Sequence, residues 1–177
     1  FEGYDSNADD ACRLYEGGRL ASIMSARQAQ KMARYLIQKA SKVVTVLAYT
    51  FDLQNMVDDL TQSRAPIEVF ADQRTSMSQQ TRKQLTRLIE LRDHGITVWL
   101  GTGTDIQEEC AAAGRKVRPG QGILHAKCVR ADNWVVCGST NWTTCSRCNT
   151  EMSVLIQLSA DGIAAVSYTH LTLPTTR

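Results

Sequence analysis

Apolar residues recur at helical spacing at Ala29, Met32, Ala33, Leu36, Ile37 and Ala40, just after a Ser25…Gln28 pair of the kind that opens helices. A near-continuous apolar run follows from Val43 to Tyr49, the mark of a strand covered on both faces. Leu53, Met56, Val57 and Leu60 predict a short helix, and Ile67 to Ala71 a second strand. Residues 78–93 predict a basic amphipathic helix with Leu85, Leu88 and Ile89 turned inward and Gly95 placed to end it. Ile96 to Leu100 reads as a third strand. Strands alternating with helices predict a layered α/β sheet. The rhythm breaks over 101–121, where Gly101, Gly103, Gly114, Pro119 and Gly120 predict a long loop of the functional or mobile kind. Strand-like runs return at 123–130, 134–137 and 152–158. No internal repeat or linker divides this pattern, so one domain is expected over 21–165.

Composition changes little in that picture. With 43% hydrophobic and 21% charged residues among 177, the chain has the make-up of an ordinary globular domain, and no run of about 18 apolar residues predicts a membrane span. The net charge of +2 is too small to indicate nucleic acid, but its distribution is uneven. Residues 1–20 hold Glu2, Asp5, Asp9, Asp10 and Glu16 against Arg13 and Arg19, and are read as the acidic N-terminal segment of a fragment. Residues 114–130 carry Arg115, Lys116, Arg118, Lys127 and Arg130 without an acid, a local positive field suited to a phosphate-bearing substrate; Arg115, Lys116 and Arg118 are the substrate-binding candidates. Six cysteines show no disulfide framework, and the lone Cys145-x-x-Cys148 lacks the further ligands of a zinc site. Cys128 and Cys137 read as buried thiols. The last twelve residues, 166–177, resemble the translation of a transposase-type sequencing adapter and are expected to have no role in the fold, which sets His170 aside.

The chemistry concentrates in one stretch, His125-Ala-Lys127-x4-Asp132, then Gly138-Ser139-x-Asn141, then Asn149-Thr-Glu151. Residues two apart on a strand share a face, so the imidazole of His125 and the ammonium of Lys127 can reach one phosphate together. A tight turn after the next strand can present Asn141 to the same place, and a carboxylate at Glu151 can fix a histidine tautomer. His94, in Arg92-Asp-His-Gly95, reads as a helix cap and not as a second catalytic histidine.

This ordered set resembles the signature of the phospholipase D superfamily over roughly residues 21–158, with the single-motif members, mitochondrial cardiolipin hydrolases and bacterial endonucleases, the most similar in look. The resemblance implies an α/β/α sandwich around a mixed, mostly parallel sheet. It implies a phosphodiesterase without metal or cofactor, in which His125 forms a phosphohistidine. Lys127 and Asn141 would stabilise the phosphate oxygens, Glu151 would orient His125, Ser139 would support that shell, and Asp132 would play a hydrogen-bonding role. One motif per chain implies a homodimer that completes the active site with a second histidine. A lipid phosphodiesterase of cardiolipin hydrolase type, acting in lipid degradation in contact with an anionic membrane, mitochondrial or other, is the first reading. An endonuclease acting on single-stranded nucleic acid is the second, and a non-catalytic phosphate-binding domain the third. One departure is present: five residues, 133–137, separate Asp132 from Gly138 where the family usually has six. The interval from Ser139 to Glu151 is likewise one residue short. A change of one inverts strand facing unless the turn absorbs it, and a tight hairpin at Asp132-Asn133 is expected to do so.

Overall fold

The computed structural model describes residues 18–102, 122–164 and 175–176. The basic residues Arg115, Lys116 and Arg118, the acidic segment up to residue 17 and His170 lie outside the described residues.

Helix α1 (Ala26–Lys39) opens on the predicted box, the Ser25 amide donating to Gln28 Oε1 at 2.9 Å. Strand β2 (Val44–Ala48) is buried at all five positions, as a run covered on both faces must be. Helix α2 (Gln54–Gln62) leads to β3 (Ile67–Asp72), the short α3 (Gln73–Ser76) and α4 (Arg82–Asp93) to β4 (Thr97–Gly101). Strands β5 (Lys127–Ala131), β6 (Trp134–Gly138) and β7 (Ser153–Leu158) follow. An N-terminal strand β1 (Gly18–Met24) and a two-residue β8 (Thr175–Thr176) complete one sheet of order β1-β7-β6-β5-β2-β3-β4-β8.

The fold is the expected α/β, a mixed sheet flanked by helices. Its parallel part is smaller than expected: only β2–β3 and β3–β4 run parallel, and the other five pairings are antiparallel. Helices cross over between the parallel strands, whereas β5 and β6 are joined by two residues, which can only build an antiparallel pair. That turn is Asp132-Asn133, and Asp132 has φ of 54°, a left-handed conformation that Asp and Asn tolerate. The tight hairpin absorbs the missing residue and leaves Val129, Ala131 and Val136 in one core.

That core lies between one sheet face and the three longer helices: Ala33 and Ile37 of α1, Met56 and Leu60 of α2 and Leu91 of α4 pack on Val46, Val69, Val129 and Val136. A smaller cluster of Leu47, Phe70 and Leu124, with Trp99 and Cys128 against it, occupies a second position, the Phe70 and Trp99 rings stacking at 6.2 Å.

Three details correct the sequence reading. The helix predicted over 78–93 begins at Arg82, and a 3₁₀ turn fills Gln79–Thr81. Its buried positions are Gln84, Leu88 and Leu91, while Ile89 is exposed, because Gln84 is drawn inward by backbone partners. Strand β1, an exposed edge strand without an alternating pattern, crosses the boundary expected at residue 20. Finally, Thr175–Thr176 pair with Gly101 and Leu100 of β4, so part of the segment set aside in the sequence does join the sheet; β4 offers that pairing as an otherwise open edge. Gly95, at φ of 81°, ends α4 as predicted.

Candidate active site

The motif residues gather around the start of β5. His125 stands two residues before the strand, not inside it, because β2 ends at Ala48, the partner of Lys127, and offers nothing beyond. The imidazole is therefore exposed, while Lys127 is buried. Both still face one space. The ring of Tyr49, in the turn after β2, meets the His125 ring edge-on at 4.5 Å, and the Lys127 ammonium lies over the same ring at 4.9 Å. Lys127 Nζ also donates to the His125 carbonyl at 2.6 Å. Burial pushes the Lys127 ammonium below its ordinary pKa, and the Glu151 carboxylate pulls in the opposite direction.

Ser139 and Glu151 meet across the β6–β7 connection. Ser139 Oγ donates to Glu151 Oε2, its amide donates to the Met152 carbonyl at 3.0 Å, and Asn149 Nδ2 donates to Glu151 Oε1 at 3.1 Å. This contact explains the Gly-Ser pair: a Cβ on Gly138 would collide with the Met152 carbonyl and Ser153. The expected bond from Glu151 to His125 is not the arrangement seen. Among the described residues no hydrogen bond joins them, and Glu151 acts on Lys127 instead. Its two oxygens are taken by Ser139 and Asn149, which lie nearer along the chain.

Asn141 lies in a loop sewn to the sheet. Its neighbour Trp142 is 1% exposed and donates from Nε1 to the Leu47 carbonyl at 3.0 Å, while the Trp142 carbonyl accepts from Asp52 N at 3.0 Å. Asn141 Oδ1 is buried with no hydrogen-bond partner. A buried orphan acceptor costs about 1–3 kcal/mol.

Asp132 is brought away from this group, to the other end of β5. Its carboxylate accepts from the amides of Lys42 at 2.8 Å, Val43 at 3.0 Å and Ser41 at 3.1 Å, and from the Ser41 hydroxyl at 3.2 Å. Burial pushes that carboxyl up, but these bonds together outweigh it and hold the group below its ordinary pKa. Its role is to close the α1–β2 turn. His94 caps α4, its Nδ1 2.8 Å from the Glu90 carbonyl, as the sequence predicts. Cys128 and Cys137 are neighbouring half-buried free thiols on β5 and β6, and burial pushes Cys128 up to about 12.

Four further residues shape the site and escape the motif. Tyr49 reads in the sequence as the last apolar residue of a strand. The other three are buried polar side chains, each holding one loop of the site. Asp72 caps α3 through Thr75 N at 2.7 Å, and its second oxygen accepts Leu124 N at 2.9 Å, which fixes the segment leading to His125. Gln84 accepts from Phe51 N at 3.0 Å and donates to Ser76 Oγ at 2.8 Å and to the Tyr49 carbonyl at 3.3 Å. Gln30 donates to the carbonyls of Asn141 and Thr143, both at 2.9 Å. A glutamine on the buried stripe of a helix is the signal that finds two of the three. Beside this group lies a cavity of about 410 Å³, lined by Thr50, Asp52, Arg82, Lys83 and Thr143 among others.

A family model described as cardiolipin synthase, PLD-like domain, matches residues 34–167. No curated protein matches the chain. Among solved structures, the phospholipase D family member Nuc from Salmonella typhimurium is similar with a TM-score of 0.64 and 17% identity, over 88% of this chain and 97% of that one. NucT from Helicobacter pylori is similar with a TM-score of 0.64 and 20% identity, over 83% and 91%. A phosphatidylserine synthase from Haemophilus influenzae has a TM-score of 0.62 and 14% identity, over 96% of this chain and 41% of that one. At these identities the neighbours establish a shared fold.

Proposed function

The chain belongs to the phospholipase D-like family, whose members are in general phosphodiester-cleaving enzymes, and from that premise we propose that it hydrolyses phosphodiesters through a phosphohistidine on His125, without a metal. The observation that carries this reading is that the His125 ring and the Lys127 ammonium both contact one Tyr49 ring, which keeps a nucleophile and a cation within reach of one phosphate. In the first step a ring nitrogen of His125 attacks phosphorus and the P–O bond to the leaving alcohol breaks. A second histidine protonates that oxygen, then takes a proton from water as the water displaces His125 from phosphorus. Lys127 and the amide of Asn141 bind the non-bridging oxygens as their charge grows. Glu151 keeps Lys127 charged against its burial, and Ser139 holds Glu151.

The second histidine comes from a second copy of the chain in this reading. His94 is spent on its helix cap, whereas His125 is exposed, where the histidine of a second copy can approach it. A cardiolipin-type lipid substrate has its own support in the exposed apolar side chains of Ile123 and Met152, which flank His125 and Glu151 in sequence. The test is turnover of cardiolipin vesicles and of a single-stranded oligonucleotide, side by side and with a chelator present. Wild type should turn over at least one, and His125→Asn neither. Full turnover by His125→Asn, or turnover that the chelator abolishes, would overturn the proposal.

A further inference from the structure

A second cavity, of about 440 Å³, opens between α1 and the 145–148 turn and is lined by Arg27, Gln30, Lys31, Arg34, Asn55 and Arg147. Four of these six are cations and none is apolar. Arg34 is neutralised by an ion pair with the buried Asp59, which also accepts from Gln38 Nε2 at 2.7 Å. Among the described residues no acid pairs with Arg27, Lys31 or Arg147. Like charges collected around a concave wall repel one another and raise the local potential, and an anion relieves both.

Arg147 is held in place for such a ligand. Its Nε donates to Gln30 Oε1 at 2.7 Å, which fixes the plane of the guanidinium. Gln30 is 2% exposed, and its amide is the same one that grips the carbonyls of Asn141 and Thr143. One buried side chain thus joins the cavity to the loop that carries Asn141. Beyond that loop, at Thr143, lies the other cavity with Arg82 and Lys83. Cations therefore flank the motif loop on both sides.

We propose that the α1 cavity is a second phosphate subsite, taking a phosphodiester that flanks the scissile one on a single-stranded nucleic acid. The inference rests on the phosphodiesterase reading of the His125 site and names its substrate class. A nucleic-acid strand carries a phosphate at every nucleotide and so engages both sites at once. Every residue that lines the cavity ends in a polar or charged group, which suits a phosphate better than an acyl chain.

The test uses Arg27→Gln with Lys31→Gln, two exposed helix positions where Gln keeps the helix propensity, with the melting temperature as a check on folding. Binding of a fluorescein-labelled single-stranded oligodeoxynucleotide is measured as a function of salt, in a His125→Asn background so that nothing is cleaved. The double change should weaken binding about tenfold and reduce the slope of log K against log salt by about 1.4, at about 0.7 per lost phosphate contact. In the active protein, selectivity for the oligonucleotide over bis(p-nitrophenyl) phosphate, which has one phosphate, should fall by the same factor. Unchanged affinity and slope would overturn the subsite. A loss confined to cardiolipin vesicles would overturn the nucleic-acid assignment. If the active protein cleaves nothing, the phosphodiesterase reading fails, and the binding measurement still decides the subsite by itself.

Discussion

Of two charged side chains of the motif, Asp132 takes the hydrogen-bonding role expected of it, and Glu151 does different work from the expected orienting of His125. Asp132 spends its carboxylate on three amides of the turn from Ser41 to Val43, so its loss should cost stability. Asp132→Asn keeps one acceptor and should lower the unfolding free energy by about 1–2 kcal/mol at pH 7, read from denaturant midpoints. The sign with pH follows from its depressed pKa in the folded state: the stabilisation is present above the ordinary carboxylate value and is lost as pH falls through the lower folded value. The gap between wild type and variant should therefore close in acid; a gap that stays constant down to pH 2 would contradict this role. Glu151 works on Lys127, whose ammonium burial disfavours. Glu151→Gln removes the opposing pull, so the Lys127 pKa should fall further and the alkaline limb of kcat/KM should move to lower pH. A limb that moves up or stays would leave Glu151 without that role.

Elements were legible from the sequence where the apolar period was clean. Val44 to Ala48 and the Ala29–Ala33–Leu36–Ile37 stripe gave β2 and α1 because burial alone decides them. The helix at 82–93 was legible in kind but not in facing. Gln84, Leu88 and Leu91 form its buried stripe, and a polar residue inside such a stripe is invisible to a hydrophobic count. What buries Gln84 is the need of Phe51 N and the Tyr49 carbonyl for partners, a tertiary demand. Gln84→Leu should strand both groups and lower stability by about 1–3 kcal/mol, visible as a drop in melting temperature. An unchanged melting temperature would mean that those groups find other partners. The order of His125, Lys127, Ser139 and Asn141 was legible because motif spacing is a local property. Tyr49, Asp72 and Gln30 were not, since they reach the site only through the sheet.

On the scale of the molecule, the sheet order sets β5 beside β2, and this juxtaposition brings the turn after Ala48 to the residues before Lys127. The strand order could not be read from a sequence with no repeat, and neither could the small share of parallel pairing, which depends on how β5 to β7 return. A site completed by a second copy predicts that the active species is twice the mass of the chain in sedimentation, and that activity per chain falls on dilution as dimers dissociate. Activity per chain that holds in a demonstrably monomeric sample would contradict the shared site. The central claim, a covalent intermediate on His125, has a direct measurement. A ³²P-labelled diester is mixed with enzyme, quenched in alkaline denaturant to preserve phosphohistidine, and the label is mapped by peptide. The account predicts label on the peptide holding His125 and none in His125→Asn; steady turnover with no trapped label, or label on another residue, would contradict it.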